Sequence, residues 1–504
     1  MKRIVKIALI VSGFLLSTLI IFVVIVFNRP GLMPPGQYHP RALFSELLGY
    51  KVHPWIKVDP ARRYTLQVWG TRWPIFPDGR GYDDLMEEVI MKFRKTYPNV
   101  HIEYVLLPLG DIERAIEMAV ENSTPPDVCI TTFDPSLIGS GLVVPINMFL
   151  CGKPKDDIEA TPVADFEPSS LKSVSIHNRL WAWPSWTEVK SWAGNAELLR
   201  LVGIDVERIM LYGWSYEDVL AMVNAFKVYG EGVEERYRKY GIVLDTTSTH
   251  TIDTLMEAGG KGLILSDDNE LLWQGEVLRS GLSLLKRIKD AKGFPEPVHT
   301  MGEKMLELFW GGRAAVIGPV GPGFLKHVYE RQARLDKGDL PSGGYPVEPI
   351  LLPVPHPPGC PKSPCISLHT AIVFTCPGEG RFDTAYLAVK FGEMLAREEA
   401  LWLAGGLPIV PALIRDRRHW LSLGGIPDGA CRRFLISSST SGIMVRNTSL
   451  LTKKKERLLR KEIINPMMRD FWGGVISPEE FDQRLSAYFQ ENRHLYPYLN
   501  KLSD

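Results

Sequence analysis

Apolar and polar residues alternate in YTLQVW (64–69), the two-residue period of a strand with one buried face. The period changes in YDDLMEEVIMKFRKTYP (82–98), where Leu85, Val89, Ile90 and Phe93 fall on one helical face, acidic residues fill the first turn and Pro98 ends the run. VHIEYVLL (100–107) predicts a second strand, DIERAIEMAVEN (111–122) a second helix with Asp111 as its N-cap, and PPDVCITTF (125–133) the start of a third strand. Strand–helix–strand–helix–strand is the pattern of a parallel sheet with crossover helices. Ligands settle at the carboxyl ends of such strands, beside the switch in strand order.

The pattern then breaks. NRLWAWPSWTEVKSWAGNAELL (178–199) gathers Trp181, Trp183, Trp186 and Trp192, and Pro184 interrupts any helix there. Beyond it, AELLRLVGI, SYEDVLAMVNAFKVYG, GEVLRSGLSLLKRIKDAKG and GEKMLELFWGG have helical spacing, while RAAVIGPVG and EPILLPVP read as strands closed by Gly and Pro. SLHTAIVF returns to a strand pattern, and FDTAYLAVKFGEMLAREEALWLAGG predicts a long amphipathic helix. The final stretch is helical or irregular, and KKKERLLRKE (453–462) reads as a solvated helix face. No internal repeat is present.

Two N-terminal segments stand outside this pattern. Ile7 to Phe27 is 21 residues without a charge, long enough to cross a hydrocarbon layer of about 30 Å. It ends in bulky residues rather than a small-x-small cleavage site, which favours a retained anchor over a removed signal peptide. Lys2, Arg3 and Lys6 precede it and only Arg29 follows closely, so the positive-inside rule places the bulk of the chain outside the cell. Residues 29–62 carry Pro30, Pro34, Pro35, Pro40, Pro54 and Pro60 with little periodicity, as a stalk would.

At 504 residues the chain exceeds one ordinary core, so two or three domains are expected. Lys+Arg and Asp+Glu are 58 each, a balance that argues against a nucleic-acid partner. Six cysteines are too few for a disulfide scaffold in a chain this long, although Cys360 and Cys365 in CPKSPC have the spacing of a short disulfide loop. Catalytic and nucleotide signatures are absent: no GxSxG, HExxH, Walker A or GxGxxG occurs, and no motif calls for a cofactor or a metal. SDDNE (266–270) is too poor in carboxylates for a calcium loop. Lone His250 and Glu188 do not make a catalytic constellation. Binding is the expectation, not catalysis.

Several stretches, in order, resemble the extracellular solute-binding proteins of ABC importers, specifically the family 1 type that captures sugars and oligosaccharides. TLQVWG followed by a helix and FRKTYPNVHIEYV is similar to that family's opening strand, helix and second strand. ENSTPPDVCITTFDP is similar to its step into the third strand, and LWAWPSWTEVKSWAGNAELLRLVGI with GWSYEDVL follows its crossing segment. FWGGRAAVIGPVG and EALWLAGGLPIVP complete the series. The chain departs from the family pattern in lacking a lipidated cysteine and in having Gly194 before Asn195, where an aromatic is usual.

The resemblance implies an α/β, two-lobed periplasmic-binding-protein-like (type II) fold behind a transmembrane anchor at residues 1–28 and a linker at 29–62. Lobe 1 is then expected at 63–182, with 366–412 returning to it. Lobe 2 is expected at 183–365, with the 413–504 helices largely on it. It further implies a small-molecule solute held between the lobes and delivered to ABC permease subunits. A sugar presents apolar C–H faces edged with hydroxyls, so its sites stack aromatic rings and surround them with polar groups. The candidate ligand residues are therefore Trp69, Arg72 and Trp73 at the end of the first strand, Thr132 and Asp134 at the end of the third, and Trp183, Trp186 and Glu188 on the crossing segment. A solute-sensing ectodomain for a membrane signalling partner is the alternative from a different class. A glycan-acting hydrolase would need paired carboxylates.

Overall fold

The computed structural model describes residues 58–73, 81–108, 110–146, 149, 165–176, 179–266, 268–293, 295, 302–320, 324, 334, 337–338, 347–357, 365–374, 382–404, 407, 409–422, 429–444 and 450–492. The apolar run 7–27, most of the proline-rich linker and Cys360 of the CPKSPC loop lie outside the described residues. Among the described residues no helix is long and apolar enough to cross a membrane.

The elements used below are β1 (Tyr64–Arg72), α1 (Tyr82–Thr96), β2 (Val100–Pro108), α2 (Ile112–Glu121), β3 (Val128–Thr132), β4 (Ala182–Val189), β5 (Ser191–Asn195), β6 (Tyr240–Leu244), β7 (Ala314–Val320), β8 (Pro349–Pro353), β9 (Cys365–Val373) and α3 (Phe382–Ala404). The chain divides into two compact units. One comprises residues up to Trp186 together with Leu368–Trp402 and Ala412–Ile414, the other Thr187–Ser367, Leu403–Pro411 and Arg415–Asp504. The chain crosses from one to the other five times: within β4 after Trp186, within β9 before Leu368, near the end of α3 after Trp402, and after Pro411 and Ile414.

In the first unit the strands run in the order β4-β9-β3-β1-β2. β1 pairs in parallel with β2, Tyr64 against Val100 through Arg72 against Pro108, and with β3, Val68 against Val128. The alternation in β1 is real: Tyr64, Leu66 and Val68 are buried, Thr65 and Gln67 are exposed and Trp69 is half-exposed. In α1, Leu85, Val89 and Phe93 are buried. The Asp84 carboxylate accepts from the Gly81 N–H at 2.6 Å, which satisfies a donor at the helix start. Asp111, expected as a capping side chain, makes no cap hydrogen bond, because its own backbone is already helical. β9 runs antiparallel to β3 and sets His369 opposite Thr132. Parallel pairing places the carboxyl ends of β1 and β3 together, and antiparallel β9 enters beside them. Arg72, Trp73, Thr132, Asp134 and His369 consequently share one end of the sheet.

In the second unit the strand order is β8-β5-β7-β6, with β5 antiparallel to β7 and β8 and β6 parallel to β7. Trp192 on β5 meets Trp214 edge to face at 6.0 Å, and the Trp214 indole N–H donates to the Pro353 carbonyl at 2.7 Å. KKKERLLRKE differs from a solvated face. Lys455 is buried, Glu456 accepts from the backbone N–H groups of Ile264 and Leu265, and Arg460 pairs with Asp253 at 2.8 Å. Lys455, Glu456 and Arg460 turn inward because partners of the same unit meet them there, while Lys454, Arg457, Lys461 and Glu462 remain exposed as the solvated-face reading expects.

Gly318 allows close packing against this indole pair. A Cβ at that position would lie 2.3 Å from Trp192 Cδ1. Gly318→Ala is expected to destabilise the protein by about 2 kcal/mol, since a wholly buried Trp192 cannot retreat without displacing Trp214. Urea unfolding followed by far-UV circular dichroism measures this, and an unchanged midpoint would contradict it.

Candidate functional site

The strand ends of the first unit converge on an aromatic cluster. The His369 imidazole lies flat on the Trp186 indole, with centroids 3.7 Å apart and planes within 8°. Trp73 meets Trp186 edge-on at 5.7 Å and lies 6.0 Å from His369. The Thr132 hydroxyl and His369 Nε2 are 3.4 Å apart across the strand pair. Thr132, Asp134 and His369 are half-buried and Arg72 is exposed, whereas Trp73 is buried and Trp186 wholly so. Burial pushes the His369 imidazole down to about 3, so it is neutral at physiological pH.

Three of the sequence candidates, Trp73, Thr132 and Trp186, thus come together around a residue not among them. Arg72 and Asp134 stand at the same sheet end. The Asp134 carboxylate accepts from the Ser136 N–H at 2.9 Å and caps the short 3-10 turn Pro135–Ser140, so part of its hydrogen-bonding capacity is already used. Trp69 is half-buried within β1, opposite Val105 on one side and Cys129 on the other. Trp183 lies in the interior: its indole N–H donates to the Val389 carbonyl at 2.9 Å and Phe166 stacks over its ring at 5.9 Å. As arranged, Trp183 and Trp186 act as core and support rather than as open faces, because β4 is buried on both sides. Glu188 falls in the second unit. Burial raises its carboxyl above the ordinary value, Lys190 opposes the shift and Glu257 adds to it. Lys190 itself donates to Glu257 at 2.7 Å.

Beneath the aromatic cluster lies a second residue outside the sequence candidates. Glu399 on α3 is wholly enclosed and accepts from the Tyr82 hydroxyl at 2.8 Å and the Trp186 indole N–H at 3.2 Å. Burial raises its carboxyl to about 7, against hydrogen bonds that pull the other way. The local geometry suits a protonated acid. The Ser185 hydroxyl, 2.6 Å from the Ala396 carbonyl, uses its one proton there, so its 3.0 Å approach to Glu399 Oε2 is satisfied when the carboxyl donates. Among the described residues no group of three His, Cys, Asp or Glu side chains is placed to hold a metal ion.

No family model matches the sequence, and no curated protein matches it. Solved structures do. The GacH receptor of Streptomyces glaucescens, solved unliganded and with acarbose, is 17% identical with a TM-score of 0.58 over 85% of this chain and 98% of that one. An ABC substrate-binding protein from Listeria monocytogenes in complex with cycloalternan is 13% identical, TM-score 0.59, over 86% and 99%. A Thermus thermophilus maltotriose-binding protein bound with maltotriose is 15% identical, TM-score 0.55, over 85% and 99%. Each is described as a receptor or a binding protein, and at these identities the likeness is one of fold. The chain therefore shares its α/β fold, built from two units, with these binding proteins.

Proposed function

We propose that this chain is an extracytoplasmic solute-binding protein that captures a sugar or oligosaccharide and delivers it to the permease of an ABC importer, held at the membrane by residues 7–27. The observation that carries the reading is a likeness spanning about 85% of the chain to proteins solved with acarbose, cycloalternan and maltotriose. A half-exposed rim of mixed polar and aromatic groups at the strand ends of the first unit supports it. Such a rim suits a ligand whose faces are apolar and whose edge is hydroxylated. Arg72, Thr132 and Asp134 are the hydroxyl-binding candidates there, with Trp69 and Trp73 as apolar neighbours and Trp183 and Trp186 holding the rim from behind. Glu188 is a further carboxylate candidate in the second unit.

The test is calorimetric titration of the full chain in detergent with glucose, maltose, maltotriose and cellobiose, beside amino acids and dipeptides as controls. Binding of at least one sugar with Kd near 1 μM, about −8 kcal/mol, is expected. Binding of a control solute with no response to any sugar would reject the carbohydrate reading.

A further inference from the structure

The exposed aromatic surface of the first unit's rim differs from what the tryptophan-rich segment suggests. Trp186 is 0% exposed and Trp73 is 7% exposed, so neither indole has a face free for a solute. The ring that covers Trp186 is His369, and it is the partly accessible member of the stack. We infer that His369 is a ligand-contacting residue: its imidazole, supported by Trp186 and fixed at Nε2 by Thr132, recognises a hydroxyl of the bound sugar. The inference rests on the carbohydrate-binding reading above and narrows it to one side chain.

Chemistry and geometry agree. A neutral imidazole offers one donor and one acceptor nitrogen, and a sugar hydroxyl both donates and accepts, so the two match in either tautomer. The Thr132 hydroxyl, 3.4 Å from Nε2, likewise both donates and accepts and can serve either tautomer. Nδ1 has no hydrogen-bond partner among the described residues, which leaves it for the ligand. The parallel contact with Trp186 fixes the ring plane, so no rotamer search is needed on binding. Burial keeps the ring uncharged, which suits a neutral polyol and avoids placing an imidazolium against it.

His369→Phe preserves a flat ring on Trp186 and removes both nitrogens, and His369→Asn restores a donor and an acceptor without the ring. The probe is whichever of glucose, maltose, maltotriose and cellobiose binds the wild type most tightly. His369→Phe is expected to weaken its binding about tenfold, with an unchanged unfolding midpoint, and His369→Asn to recover part of that loss. A folded His369→Phe that binds within twofold of wild type would overturn the inference alone. A wild type that binds none of the sugars would overturn the parent reading and this inference with it. Should His369→Phe fail to fold, His369→Leu replaces it: weaker sugar binding at an unchanged midpoint supports the inference, and undiminished binding overturns it.

Discussion

Trp186→Ala is expected to lower stability by about 4 kcal/mol, the largest loss predicted for any single change here. The indole is wholly enclosed, carries His369 on its face and Trp73 at its edge, and donates to Glu399 from below. Removing it opens a cavity lined by two aromatic rings and takes a donor away from a buried carboxyl, and both effects destabilise. Trp186→Phe keeps most of the volume and loses the N–H, so its cost should fall to about 2 kcal/mol. Urea unfolding of the three proteins at one pH measures the series. A loss below about 1 kcal/mol for Trp186→Ala would contradict the packing described.

The second large effect is on pH dependence. Burial raises Glu399 from 4.5 to about 7 in the folded chain. Between those values the unfolded chain has released the proton and the folded chain retains it. The stability that Glu399 contributes is therefore full at and below pH 4.5, falls as pH rises through about 7, and is gone above that. The fall attributable to this one group is about 3 kcal/mol. Glu399→Gln has nearly the same shape and does not titrate. The difference in stability between wild type and Glu399→Gln should thus change by about 3 kcal/mol between pH 4.5 and pH 8, in favour of the glutamine variant at the higher pH. Parallel curves for the two proteins would show that Glu399 does not titrate in this window.

Much of the first unit could be read from residue order alone. Period-two alternation in β1 and the Leu85–Val89–Phe93 stripe in α1 record one buried face each, and that is the information a pattern carries. The tryptophan-rich segment was only partly legible. Pro184 excluded a helix, but every residue of β4 except Glu188 is buried, so no alternation marked which indoles faced inward. His369 and Glu399 were missed for a related reason. Each is a single polar residue in an apolar pattern, and its meaning depends on a partner far along the chain. Thr132 is 237 positions from His369, and Trp186 is 213 from Glu399. A signal did exist for Glu399. Leu395, Ala396, Glu399, Ala400 and Leu403 are all buried at helical spacing, so the carboxyl occupies the apolar stripe of α3. A charge placed there needs enclosed partners or a proton: Tyr82 and Trp186 supply the partners, and burial raises the carboxyl toward its protonated form.

A crystal structure of the full chain with its tightest-binding sugar tests the central claim most directly. The account predicts the sugar at the carboxyl ends of β1 and β3, within hydrogen-bond distance of Thr132, Asp134 or Arg72 and of the His369 ring. A sugar bound away from those strand ends, touching none of these four residues, would contradict it.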